Sequence, residues 1–154
     1  MKQEEIKQEC LKLMESADVM YLGTISSNGS PNIRMMSNLR NKEQNPGLID
    51  LFKKHSDDFL IYMVTSNSSV KMQQIRANSK ASVYFCNPGE FHGLMLTGTV
   101  EEITEENFKE KLWQKGWEMY WPGGASDPEF TVLQILPDFA KGWYKEGSFE
   151  FKLK

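Results

Sequence analysis

Apolar residues at Ile6, Cys10, Leu13 and Met14, with charged residues between them, have helical spacing and predict an amphipathic first helix over residues 3–15. The pattern then changes. VMYLGTIS and NIRMMSNL are rich in β-formers and flank SNGSP, where Asn28-Gly29 tolerates positive φ and Pro31 fixes the exit, so this stretch predicts a β-hairpin. NKEQNPG (41–47) is expected as a loop, LIDLFKKHS as a short helix and FLIYMVT (59–65) as a buried strand. After the turn TSNSSVK comes a helix over KMQQIRAN, then strands at KASVYFCN (80–87) and HGLMLTGTVEEI (92–103) around PGEF. Thr104 offers an N-cap hydroxyl, with Glu105 and Glu106 in the first turn, which predicts a helix to about Trp117. FTVLQILP, AKGWYKEG and the alternating SFEFKLK complete the chain as strands.

Strands dominate this order and most connections are short. That implies a mainly β chain with helices, whose antiparallel sheet closes into a small barrel flanked by those helices. The 154 residues, 40% of them hydrophobic, suit one domain spanning 1–154.

Composition narrows the function. A formal net charge of −3 gives no electrostatic footprint for a nucleic acid, so any bound anion must be small and locally recognised. Cys10 and Cys86, distant in sequence, are expected as small buried hydrophobes in a reducing cytoplasm. MKQEEIKQEC is too charged for a signal peptide, and no apolar run approaches the roughly 20 residues that span a bilayer. Only His55 and His92 are present, without HExxH or CxxC spacing, so no metal site is expected, and Asp57-Asp58 is expected to form a turn. No GxSxG elbow supports a hydrolytic triad.

The candidate chemistry lies in TSNSSVK, residues 65–71. A phosphate monoester wants N–H groups, hydroxyls and a cation around a concavity, and Thr65, Ser66, Ser69, Lys71 and a helix N-terminus offer that set. The alternative is that Ser68 or Ser69 simply caps the helix. Arg34 stands in the otherwise apolar NIRMMSNL, where a buried guanidinium needs a partner to offset its desolvation, unless it is an edge residue.

Arg34 in NIRMM, the turn TSNSSVK, the strand ASVYF and Trp143 in GWYKEG together resemble the pyridoxamine 5'-phosphate oxidase-like family of FMN-binding split barrels, in its short general stress protein branch. The resemblance covers about residues 15 to 145. It implies a split β-barrel that binds FMN, with Ser69 and Lys71 as phosphate ligands, Thr65 and Ser66 as strand-end contacts, and Val70 inside the phosphate turn. Arg34 matches the strand arginine, and Met35 and Met36 would lie along the isoalloxazine edge unless they are core methionines. It further implies a homodimer with the flavin at the interface; from the lack of a spanning apolar run, no membrane partner is expected. The expected activity is oxidoreductase chemistry from a reduced nicotinamide to a small acceptor; the alternative is a non-catalytic flavin-binding stress or buffering module. Relative to the biosynthetic oxidases, Leu39-Arg40 replaces a lysine after the strand arginine, Val70 an arginine and Gly93 a glutamine, and an arginine and histidine cluster for the B6 substrate is missing. Vitamin B6 synthesis is therefore not expected, nor is a deazaflavin or haem preferred. Trp113, Trp117, Tyr120 and Trp121 are either core or contact, and the resemblance favours their lining the partner or substrate side of the cleft.

Overall fold

The computed structural model describes residues 1–153. Its elements are α1 (Gln3–Ser16), β1 (Val19–Ile25), β2 (Pro31–Ser37), α2 (Ile49–Phe52), β3 (Ile61–Ser66), α3 (Val70–Ala77), β4 (Lys80–Asn87), β5 (His92–Ile103), α4 (Glu106–Leu112), β6 (Phe130–Ile135), β7 (Phe139–Tyr144) and β8 (Gly147–Lys152). All strand pairs are antiparallel, and the path β2-β1-β4-β5-β6-β3 carries β7 and β8 as a branch on β5. The fold is a split β-barrel with flanking helices.

The twelve-residue β5 makes the barrel turn. Its first part pairs with β7 through residues 92–97 and its last part with β6 through residues 100–103. Gly98 sits between the two registers, where a Cβ would come 3.0 Å from Ile135 and 3.2 Å from the Leu136 carbonyl. A side chain there would obstruct the chain as it passes from β6 to β7.

Two apolar clusters hold the sheet. Met14, Met20, Leu22, Met63, Met72, Val83, Phe85, Leu94 and Leu96 are among those filling the barrel, with α1 packed on it. Leu48, Phe52, Leu60, Tyr62, Leu112, Trp121, Phe130 and Val132 form the second, outside β3 and β6. Both faces of β3 and β6 are thereby covered, which is why each reads as a continuous apolar run rather than an alternation. A fully buried large side chain contributes about 1.5–3 kcal/mol.

The hairpin β1–β2 forms as expected, with Gly29 at φ +85 in its turn. The helix expected from Thr104 to Trp117 is shorter. It spans Glu106–Leu112 with Glu105 as its N-cap, Trp113 turns extended, and Gly116 takes φ +104 before a separate 3-10 turn at Trp117–Met119. The short helix after the 41–47 loop is α2 flanked by 3-10 turns. Cys10 is fully buried, while Cys86, near the end of β4, is only half-buried. No helix among the described residues is long and apolar enough to cross a membrane.

Candidate functional site: a cationic cleft at the split in the barrel

The sheet path ends at β2 on one side and β3 on the other, and these two strands do not pair. An unpaired strand edge leaves N–H and C=O groups free on alternate residues. Helix α3 lies at this split. Lys71 and Gln74 are three residues apart and share one helix face.

Arg34 projects from β2 into the split. Its Nη1 donates to the Leu22 carbonyl (3.2 Å), Thr24 Oγ1 (2.6 Å) and the Asn32 carbonyl (3.3 Å), and its Nη2 donates to Gln74 Oε1 (3.1 Å). Gln74 also accepts from Thr24 (2.6 Å) and donates to Asn32 Oδ1 (3.0 Å). Here the partners of the guanidinium are neutral oxygens, so its charge is held in place without being neutralised. Five N–H donors are available to an arginine, and Nε together with one hydrogen on Nη2 has no protein acceptor among the described residues.

Lys71 stands close by. Its ammonium donates to Thr65 Oγ1 at 2.9 Å. Burial, and then the charge of Arg34, hold the lysine below the usual ammonium range, and burial lowers Arg34 as well. Among the described residues neither cation forms an ion pair.

Ser69 settles the helix-cap alternative for this turn. It is the N-cap residue of α3, yet its side chain makes no capping hydrogen bond, and its Oγ is buried without a partner. Ser68 is engaged elsewhere, donating through its backbone N–H and hydroxyl to the Glu129 carboxylate. A buried hydroxyl with nothing to bond costs free energy. Two cations without a carboxylate partner and an orphaned hydroxyl at a helix N-terminus are the types of group that a small dianion needs. The residue set fits a phosphate monoester.

The other expected site residues divide. Thr65 is buried at the end of β3, and Ser66 accepts a hydrogen bond from Trp121 Nε1 at 3.1 Å. Val70 opens α3 with its side chain exposed. Met36 faces inward and belongs to the barrel core, whereas Met35 points outward and is 65% exposed. Trp143 also faces outward, with its indole N–H on the Lys145 carbonyl at 2.6 Å and its ring edge-on to Phe91. It lies four strands from β2 along the sheet and on the opposite face, so one chain alone does not bring it to the cleft.

The aromatic segment is a correction to the sequence expectation. Trp113, Trp117 and Trp121 pack against one another and against Phe130, with centroids 4.9–6.3 Å apart, as part of the second apolar cluster within the same chain. Of the large hydrophobic residues in this stretch, only Met119 and Tyr120 stand well exposed. β3 and β6 present an outer apolar face that these indoles cover, a demand invisible in the local sequence.

Leu39 and Arg40 are structural. Leu39 is in the core, and Arg40, 4% exposed, donates to the carbonyls of Asp58 (2.8 Å), Leu60 (3.0 Å) and His55 (2.8 Å). Asp57-Asp58 lies in a turn, where the Asp58 carboxylate accepts from the Leu60 N–H and meets His55 Nδ1 at 2.8 Å. Both histidines lie away from the cleft: His92 is buried against Tyr144 and Phe149, with Cys10 Sγ 3.9 Å from its Nε2. No cluster of metal-ligating side chains occurs among the described residues. Thr24, Asn32 and Gln74 were not foreseen. The i,i+3 spacing of Lys71 and Gln74 is the one signal that points to any of them.

The sequence profile of the pyridoxamine 5'-phosphate oxidase family matches residues 6–144. The chain belongs to that family. A protein of Clostridium acetobutylicum related to general stress protein 26 shares 30% identity and a TM-score of 0.79, covering 99% of this chain and 97% of that one. General stress protein 26 of Bacillus anthracis has 16% identity and a TM-score of 0.70, with 97% and 99% covered. A general stress FMN/FAD binding protein of Xanthomonas citri has 18% identity and a TM-score of 0.69, with 99% and 97% covered. No curated protein matches the sequence significantly. Gly93 leaves room for the Tyr84 phenol; a Cβ at that position would collide with the hydroxyl.

Proposed function

We propose that this chain binds FMN with its phosphate in the cleft between β2 and α3, and works as an oxidoreductase passing electrons from a reduced nicotinamide to a small acceptor. The observation that carries this reading is the pairing of two un-neutralised cations, Arg34 and Lys71, with the orphaned buried hydroxyl of Ser69. Lys71 and Arg34 hold the phosphate charge, and Thr65 and Ser69 donate hydroxyl hydrogens to its oxygens, whereas Ser66 turns to the other face of β3 and to Trp121. The free edge of β2 at Met35 and Met36 offers backbone groups to a ring lying along it. When bound, the flavin supplies the redox chemistry, and the protein orients it and tunes its electronics.

A homodimer belongs to this reading. The outward face carries Ile33, Met35, Tyr84, Phe91 and Trp143, each more than 40% exposed. A second copy set against that face would bury these side chains and supply a Trp143 to the ring side of the cleft.

The test is an absorption spectrum of protein purified without added cofactor and again after incubation with FMN and desalting. Bands near ~370 and ~450 nm, set by the flavin itself, should co-elute with the dimer; folded protein that retains none refutes the reading. A non-catalytic flavin store is the second reading, favoured by one observation: both histidines lie outside the cleft, so no imidazole is placed to donate a proton. Anaerobic reduction by a nicotinamide separates the two, since a store reduces slowly and without dependence on acceptor.

A further inference from the structure

Thr24 stands opposite Asn32 in the β1–β2 ladder and Leu22 stands opposite Arg34, so Thr24, Asn32 and Arg34 share one face of the hairpin. Gln74 of α3, 9% exposed, docks on that patch. Its Oε1 accepts from Thr24 Oγ1 at 2.6 Å and from Arg34 Nη2 at 3.1 Å, and its Nε2 donates to Asn32 Oδ1 at 3.0 Å. Arg34 Nη1 in turn donates to Thr24 Oγ1 at 2.6 Å, which closes a ring of hydrogen bonds through Arg34, Thr24 and Gln74. A guanidinium has donors only, so the amide atom that faces Arg34 must be the oxygen. The orientation of Gln74 is thereby fixed, and with it the seat of α3 on the hairpin.

Lys71 lies three residues before Gln74 on the same helix face, so whatever seats Gln74 also sets how near Lys71 comes to Arg34. The two cations oppose one another: after burial, the charge of Arg34 is what lowers the Lys71 ammonium. Without a tether, side chains this long would swing apart into water. A carboxylate at position 74 would hold Arg34 but cancel its charge, and an apolar side chain there would leave the charge intact but hold nothing. A neutral amide holds the guanidinium and spares its charge. We propose that Gln74 is a positioning residue for the anion cleft, which ties Arg34 to the helix that carries Lys71 and leaves both charges to the bound phosphate. This rests on the FMN reading above, and Gln74 acts through Arg34 without touching the ligand.

Gln74→Met keeps the length of the side chain and deletes its polar end, whereas Gln74→Glu keeps the acceptor and adds a charge. FMN and riboflavin, which differ by the phosphate, are titrated into wild type and both variants, and the apoproteins are melted alongside. FMN affinity should fall about three- to tenfold in Gln74→Met, the range of one net hydrogen bond, and more than about tenfold in Gln74→Glu, the range of a charged one. Riboflavin affinity should stay unchanged in both. The Gln74→Glu apoprotein should melt above Gln74→Met, because its carboxylate pairs with Arg34, so the variant that is more stable binds FMN less well. A residue that only supports the fold would weaken FMN and riboflavin together, and would rank the variants' FMN affinities in the order of their melting temperatures. Either of those results, or an FMN affinity unchanged in Gln74→Glu, overturns the positioning role. Should one variant fail to fold, the other decides by the split between FMN and riboflavin. Wild type that takes up no FMN removes the function reading and this inference together, whereas wild type that binds FMN no better than Gln74→Glu removes only the inference.

Discussion

Replacing Lys71 with methionine should move apoprotein stability and ligand affinity in opposite directions. The ammonium is partly buried, carries no carboxylate partner, and is disfavoured first by desolvation and then by Arg34. Methionine keeps most of the aliphatic stem and removes a charge the free protein gains little from, at the cost of one hydrogen bond to Thr65. The apoprotein should therefore melt at the same temperature or higher. With a phosphate bound, the balance reverses. A unit charge about 4 Å from an anion is worth about 4 kcal/mol gross at an effective dielectric of 20. After desolvation, a charged hydrogen bond nets about 1.5–3 kcal/mol, so FMN affinity should fall roughly 10- to 150-fold. Thermal melts with and without FMN, alongside a flavin-fluorescence titration, read both quantities. Lys71→Met that lowers the apo melting temperature and leaves the FMN dissociation constant unchanged would show the lysine to be a structural group and would sink the argument.

Three further outcomes follow from the packing. A Cβ at Gly142 would collide with the Gly93 carbonyl, and one at Gly93 would meet only the movable end of Tyr84; Gly142→Ala should cost several kcal/mol and Gly93→Ala less than about 1 kcal/mol by denaturant titration. Burial, then Glu9, push the Cys10 thiol up to about 12 from 9.0. The unfolded chain therefore releases this proton from about pH 9 while the folded chain retains it, and stability should fall with rising pH, by on the order of 1 kcal/mol per unit between pH 9 and 12. Cys10→Ala should lose that slope relative to wild type in unfolding measured at pH 8 and 10.5. Arg40→Met strands the carbonyls of His55, Asp58 and Leu60, at about 1–3 kcal/mol for each one left without a partner, which should lower the melting temperature without altering FMN affinity in whatever protein remains folded.

How much was legible depended on the range of the interaction. Every strand of the barrel could be placed from hydrophobic period and turn residues, because those act within a few positions of one another, and 80–87 and 92–103 match β4 and β5. Arg34 and the 65–71 turn could be picked out because a cation in an apolar strand and hydroxyls before a helix are local anomalies. The end of α4 was misjudged because nothing near Trp113 marks it; the indoles turn aside to cover β3 and β6, strands on either side of them in sequence. Whether the Ser69 hydroxyl bonded the helix end was equally open, since the answer depends on where the hydroxyl points.

The sequence by itself determined the element order, the antiparallel barrel and the identity of the two cations, since period, turn chemistry and charge belong to each segment. Only the tertiary structure decided that β2 and β3 stay unpaired, that Arg34 of β2 comes to Lys71 and Gln74 of α3 at that split, and that Trp121 closes on Ser66 from 55 residues away. Those contacts depend on how the sheet curls, which is fixed by packing both faces of β3 and β6 at once and by no segment alone.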